Sequence, residues 1–432
     1  MFKKCLYLRT DICGIQFTAG GSVGHTLGVI KELQKRYEVY VFSSQMKQIL
    51  QKEKIKFVFF KNIKIFFMSD KIPLLWRWYY VRWRLECIFS TLFFFIQIIL
   101  KTRKQVFAFV YQRNSILNGT GLLVSWYKKI PFILEYNGSE AYWFSPAATD
   151  PWYMRWFAFK KLSYWIEDLN LYYATTVVAV SQALKDELVI RGVQAEKIVV
   201  NPNGVEEEIF YGARYMQQKE ALRLQYSLED KFVFGFIGTF GHWHGIEMLA
   251  RIIPQICDQY PSVVFFLIGD GSLRLFLEAE VATYIQRGQV VLTGAIAQHK
   301  APEYLSLCDA FLCPTRPNAD GTRFFGSPTK LFEYMSMAKP VIASDLEQLA
   351  QVVNPAVRVN VVSNISTLQH VTITDQVGLL VPPLDEQGFV KACQLCLSLS
   401  DQQRKKIGQN ARNEVLEKYT WKKHVERILE RL

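Results

Sequence analysis

Three observations predict an α/β protein built on parallel, helix-covered sheets. Short apolar segments such as VIA at residues 341–343 alternate with amphipathic stretches along most of the chain, and strands that alternate with helices form parallel sheets with both faces covered. Several of these strands run into glycine-bearing turns, at Gly20 and Gly21, Gly238, Gly269 and Gly271, and Gly294. Ligands of open α/β sheets bind at such carboxyl ends. The length, 432 residues of which 50% are apolar, is enough for more than one core, so two domains or more are expected.

The first half is expected to carry strands at residues 3–8, 38–42, 57–60, 106–111, 131–136 and 176–180. The glycine-rich run AGGSVGH lies between the first strand and a helix expected at 27–35. Its Gly20 and Gly21 permit a close backbone approach to a phosphate or sugar, although on the residues alone a plain tight turn is the first explanation. Arg113 and the group Glu135, Tyr136 and Asn137 end two of the strands, where a ligand would meet them. Glu140 follows in NGSEAYW. The second half is expected to show a helix at 213–230 and strands at 232–238, 262–268, 289–292, 310–314 and 341–343, followed by an enlarged loop at 354–374. Helices should start near Gly245, Glu386 and Gln402, with a last one in YTWKKHVERIL.

Charge is unevenly spread. Residues 1–200 hold 28 Lys and Arg against 14 Asp and Glu, whereas the remainder holds 23 against 25. A basic half points to a polyanion. No nucleic-acid motif accompanies it, so an anionic membrane surface is the expected partner and nucleic acid is not. Residues 76–104 interleave Trp, Tyr and Arg before an apolar core at 87–100, and residues 152–173 form a second basic-aromatic stretch. The 14-residue core is short of the roughly 20 residues needed to span a bilayer, and the composition is that of an interfacial segment. Core helices with basic ends are the competing reading. The first residues, MFKKCLYLRTDICG, carry too short an apolar run for a signal peptide. Eight scattered cysteines fit a reducing cytoplasm, and neither a D-x-D pair nor clustered histidines suggest a metal.

The most informative stretch is FFGSPTKLFEYMSMAKPVIAS, residues 324–344. Ser327 and Pro328 read as N-cap and first helical position, Leu331, Phe332, Met335 and Ala338 as the buried stripe, and Pro340 as the stop. Lys330 in the first turn opposes the helix dipole. An anion bound there would remove the conflict, because free N–H groups and one ammonium make a phosphate site. Glu333, one turn on, can accept from sugar hydroxyls.

These residues resemble the motif S-P-x-K-L-x-E-Y-M of family 4 of the retaining glycosyltransferases. Other segments resemble that family in order: NPNGVEEEIF from Asn201 its interdomain linker, IGTFGHWHGIEML its phosphate loop, GDGS and TGA its base-binding turns. The resemblance implies two facing Rossmann-like, doubly wound domains (GT-B) with a cleft between them: 1–205 on the acceptor side, 206–412 holding the nucleotide sugar, and a closing helix at 413–432. It implies Lys330, Glu333 and Arg113 as catalytic residues. The donor contacts would be Gly20, Gly21, Gly238, Thr239, His244, Gly269, Gly271, Gly294, Ala295, Ser327, Lys330, Leu331 and Glu333. Glu140 would touch the acceptor hydroxyl, although a structural salt bridge explains Arg113 and Glu140 equally well. It implies retaining transfer from a UDP- or GDP-sugar, with no further cofactor or metal, to a glycan or lipid-linked glycan in cell-surface polysaccharide synthesis, at the cytoplasmic face of the membrane.

Three positions depart from the pattern. Thr239 replaces the usual Arg and His244 the usual Lys, which shifts phosphate binding onto Lys330, Arg316 or Arg323 and backbone amides; His244 near phosphate is expected to hold its proton. Phe325 stands where a second glutamate is usual, with Asp320 as a substitute. These departures favour a rival reading, a catalytically silent subunit that binds nucleotide sugar or glycan. A sugar-nucleotide epimerase would need titratable groups around the sugar that the sequence does not offer.

Overall fold

The computed structural model describes residues 3–11, 20–44, 46–59, 76–147, 149–368 and 370–432. The part of the first glycine loop at 12–19, residue 60 and the side chains of Trp76, Arg77, Trp78 and Tyr79 lie outside that description. The chain forms two compact units. One comprises Met1–Thr18, Val29–Asn201 and Val425–Leu432; the other comprises Ala19–Gly28 and Pro202–His424.

The first unit holds a seven-stranded parallel sheet of β1 (Lys3–Arg9), β2 (Tyr37–Ser43), β3 (Phe57–Phe59), β4 (Val110–Arg113), β5 (Phe132–Tyr136), β6 (Thr176–Ala179) and β7 (Ile198–Val200), in the order β3-β2-β1-β4-β5-β6-β7. The second holds β8 (Phe232–Ile237), β9 (Val263–Ile268), β10 (Val290–Gly294), β11 (Ala310–Cys313), β12 (Val341–Ser344), β13 (Ala356–Arg358) and β14 (Gly378–Val381), in the order β10-β9-β8-β11-β12-β14-β13. Both are doubly wound, and strand order reverses beside β1 and beside β8. Runs such as VVFFLI in β9 are buried at every residue, as a sheet covered on both faces requires. Two apolar layers flank the second sheet: one packs the Ile246–Gln259 and Glu386–Ser398 helices, the other the Thr329–Ser336 helix. Cys393 and Cys396 sit in the first of these, and the seven described cysteines that are free are all buried.

Five expectations are corrected. β4 begins at Val110, not at 106, where Val106 is exposed. The helix after β1 begins at Gly21, so the glycine pair is a helix start instead of a loop ahead of it. The helix expected at 213–230 is a 3-10 turn, Gly212–Tyr215, and a ten-residue helix, Met216–Gln225. The segment at 354–374 is not all loop: it supplies β13 and the short Ile365–Leu368 helix. The apolar core at 87–100 belongs to a helix of 27 residues, Trp76–Thr102, within which Tyr80–Thr102 is long and apolar enough to cross a membrane by length and composition.

Candidate functional site

The carboxyl ends of β8, β9 and β10 converge. The Gly238 N–H donates to the Ile268 carbonyl and that of Gly269 to the Gly294 carbonyl, each at 3.0 Å. A Cβ on Gly269 would lie 1.9 Å from the Gly238 carbonyl oxygen, and one on Gly271 would lie 2.5 Å from that of Phe240. Only glycine lets these three turns touch, which explains their recurrence. Thr239 and Ala295 are exposed beside them.

The Thr329–Ser336 helix ends against this cluster. Tyr334 sets its position: the Ile237 N–H donates to its hydroxyl at 2.7 Å, and its ring stacks on Phe311 at 4.4 Å. The helix starts at Thr329 with Pro328 as N-cap, not at Pro328 behind a Ser327 cap. Ser327 is diverted, because its hydroxyl accepts the Asn203 N–H at 3.0 Å and so pins the linker. Pro328 has no N–H, and the Leu331 N–H donates to the Pro328 carbonyl. The N–H groups of Thr329 and Lys330 are the donors left at this helix end. The Leu331 side chain is wholly buried in the core and its N–H is taken by the Pro328 carbonyl, so Leu331 supports the site as a packing residue. Gly21 belongs to the same compact unit, and a Cβ on it would lie 2.6 Å from the Thr329 hydroxyl.

Lys330 is the charged centre of the site. It is only 6% exposed, its ammonium donates to His244 Nδ1 at 3.1 Å, and it lies 4.2 Å from the centre of the Phe236 ring. No carboxylate pairs with it among the described residues. Burial lowers its pKa to about 8 and, with Lys330 opposing, raises that of half-buried Glu333 to about 7. Burial and the adjacent Lys330 ammonium push the pKa of His244 down to about 2, so its imidazole is neutral beside Lys330. An imidazole accepting at Nδ1 carries its one hydrogen on Nε2, which leaves Nε2 as a donor.

The other expected phosphate ligands are engaged. Arg316 pairs with Glu247 at 3.1 Å, its N–H donating to the Trp243 carbonyl, and Arg323 pairs with Glu347 at 2.8 Å. Asp320 accepts within its own turn from Thr322, and Phe325 brings no carboxylate. Phe236, Tyr334 and the His244 contact were not anticipated. An aromatic strand end followed by F-G-H-W-H was the available signal.

In the first unit, the ends of β4 and β5 carry a buried polar network. Arg113 donates to Glu135 at 2.8 Å, and the Tyr111 hydroxyl donates to the same carboxylate at 3.0 Å. Glu140 accepts the Ile116 N–H at 2.8 Å, and burial next to Asp11 raises its pKa to about 8. Glu167 accepts from Tyr136, Ser139 and Arg191. Arg113 is thus held by a buried carboxylate.

Two doubly wound units, one with a buried ammonium at a helix start among three glycine turns, define a GT-B glycosyltransferase fold. The sequence matches the profile described as Glycosyltransferase Family 4 over residues 19–209 and that described as Glycosyl transferases group 1 over residues 231–398; the chain belongs to the family 4 glycosyltransferases. It is similar to the phosphatidylinositol N-acetylglucosaminyltransferase GPI3 subunit of Saccharomyces cerevisiae, at 27% identity over 37% of this chain and 35% of that one. It is also similar to the putative teichuronic acid biosynthesis glycosyltransferase TuaC of Bacillus subtilis, at 26% identity over 53% of this chain and 50% of that one. These matches span a third to a half of the relatives' own lengths. Among solved structures it resembles Anabaena HepE in complex with UDP-glucose, with a TM-score of 0.67 and 18% identity over 99% of this chain and 98% of that one. That likeness is one of fold.

Proposed function

We propose that this chain is a retaining hexosyltransferase that moves a sugar from a nucleoside diphosphate sugar to a glycan or lipid-linked glycan in cell-surface polysaccharide synthesis, working as a peripheral protein on the cytoplasmic side of a membrane. The observation that carries this reading is Lys330: a buried ammonium with no carboxylate paired to it among the described residues, at the positive end of a helix, is disfavoured until an anion lies beside it. A diphosphate there would accept from Lys330, from the Thr329 and Lys330 N–H groups and from His244 Nε2. Glu333 would accept from the ribose hydroxyls. The glycine turns would admit the nucleotide backbone closely, through Gly238, Gly269, Gly271 and Gly294.

UDP is the favoured carrier, since the structural relative above binds UDP-glucose. The departing diphosphate would take the acceptor proton, so this chain would contribute position and electrostatic stabilisation instead of a nucleophile. The silent-subunit reading draws on Thr239, Phe325 and the ion pairs of Arg316 and Arg323. The test is to incubate the protein with UDP- and GDP-sugars and follow slow hydrolysis alongside calorimetric UDP and GDP binding. Hydrolysis and binding of one donor support the proposal. Binding without hydrolysis supports the silent subunit, and no binding of either overturns both.

A further inference from the structure

We propose that the outward face of the Trp76–Thr102 helix, continued by aromatic side chains of the next two long helices of this unit, is a docking surface for an anionic lipid bilayer. This deepens the lipid-linked acceptor reading by placing the lipid partner on the first unit. The carboxyl-terminal half of the helix, residues 87–100, carries no charge and is apolar on more than one face, which calls for an apolar neighbour on each such face. One side has it: Val81, Cys87, Phe94 and Ile98 are buried, and the Thr91 hydroxyl donates to the Leu117 carbonyl at 3.1 Å. The other side does not. Phe89, Leu92, Ile96 and Leu100, spaced by three and four residues, are 54, 59, 45 and 71% exposed. The domain occupies one flank along the helix, so a bilayer would meet the opposite face only, as it does with an interfacial helix.

The exposed face does not end at this helix. Phe95 packs edge-on against Tyr127 at 5.8 Å, Trp126 against Tyr173 at 5.2 Å, and Tyr173 against Tyr172 at 4.9 Å. Lys128 donates to the carbonyls of Thr102 and Gln105, which holds this aromatic end beside the basic turn after the helix. Lys101, Arg103, Lys104 and Lys129 are exposed there. From residue 87 to residue 134 the sequence has six Lys and Arg and no Asp or Glu. Exposed Trp and Tyr beside unopposed cations match the headgroup layer of an anionic membrane; a second copy of this chain would set these cations against each other. Two arginines of the basic-aromatic stretch 76–104 are engaged within the protein: buried Arg84 donates to the Tyr80 hydroxyl and the Phe144 carbonyl, and Arg82 pairs with Glu86.

Co-sedimentation with phosphatidylcholine vesicles, with and without phosphatidylglycerol, tests the surface. The parent should bind the anionic vesicles, more weakly as salt rises. Replacing Lys101, Arg103 and Lys104 by Gln should lower affinity about a hundredfold at low salt, each cation being worth about fivefold, and Leu92→Ser with Ile96→Ser should remove the salt-resistant remainder. Calorimetric UDP binding, measured on each variant, should be unchanged and reports separately on the donor reading. Absence of vesicle binding by the parent, equal binding to both vesicle types, or dimers dispersed by the serine variant with lipid binding intact would each overturn the proposal.

Discussion

A lysine buried at the positive end of a helix destabilises the ligand-free protein, and the same strain makes it a ligand for phosphate. Lys330→Met should therefore raise the melting temperature of the ligand-free protein, by about 1 to 3 kcal/mol of stability, while weakening UDP binding by about 1.5 to 3 kcal/mol. Uridine, which lacks phosphate, should bind parent and variant alike. Equal loss for both ligands would remove Lys330 from the phosphate. Glu333→Gln should narrow the preference for ribose over 2′-deoxyribose ligands by about 0.5 to 1.5 kcal/mol, and an unchanged preference would dismiss the ribose contact.

The two shifted groups also set a pH window. Lys330 loses its proton above about 8, below its unfolded value, so its stability penalty applies below 8 and is relieved as pH rises. Glu333 takes up a proton below about 7, above its unfolded value, so its penalty applies above 7 and is relieved as pH falls. Binding that needs the ammonium and the carboxylate together should be tightest between about 7 and 8. Calorimetry of UDP against pH should show affinity falling on both sides, and Glu333→Gln should remove the part of the acid limb at about 7 and leave the part at about 6 that comes from protonation of the UDP phosphate. A flat profile in the parent would mean that neither group changes charge on binding.

At the scale of elements, the helix that carries Lys330 is only as well placed as Tyr334 makes it. Tyr334→Phe would leave the Ile237 N–H without its acceptor, at a cost of about 1 to 3 kcal/mol. Because the helix start would then shift as a body, UDP and uridine should weaken together, in contrast to Lys330→Met. A Tyr334→Phe protein that melts like the parent and binds UDP normally would show that the helix is held otherwise. Tyr334 also shows what the sequence conceals. The stripe Leu331, Phe332 and Met335 and the charge conflict at Lys330 are local, and each was legible; the helix stops at Ser336, earlier than Pro340, so that Ala338, expected in the stripe, lies beyond it with positive φ. The acceptor role of Tyr334 depends on β8, which lies nearly a hundred residues away. Ser327 fails as a cap for the same kind of reason, since a distant Asn203 N–H competes for its hydroxyl. His244 reads as a phosphate-seeking cation until its distance from Lys330 is known. The strand starts at 106 and 110 differ because the alternation V-F-A-F-V does not say where the neighbouring strand begins.

At the scale of the whole chain, the two units have their own sheets, and their expected ligands differ in kind. UDP should stabilise the unit that contains Lys330 by mass action, by about 2.7 kcal/mol at a hundredfold excess over its Kd. The basic first unit should respond instead to anionic vesicles. Scanning calorimetry of the intact protein should accordingly resolve two transitions, of which UDP raises one. At the same UDP concentration that response should fall to about 0.3 to 1.3 kcal/mol in Lys330→Met and stay at its parent value when Lys101, Arg103 and Lys104 are replaced by Gln. A single transition that UDP raises as a whole would show the units melting together, in which case stability measured by heat belongs to the chain and not to either sheet.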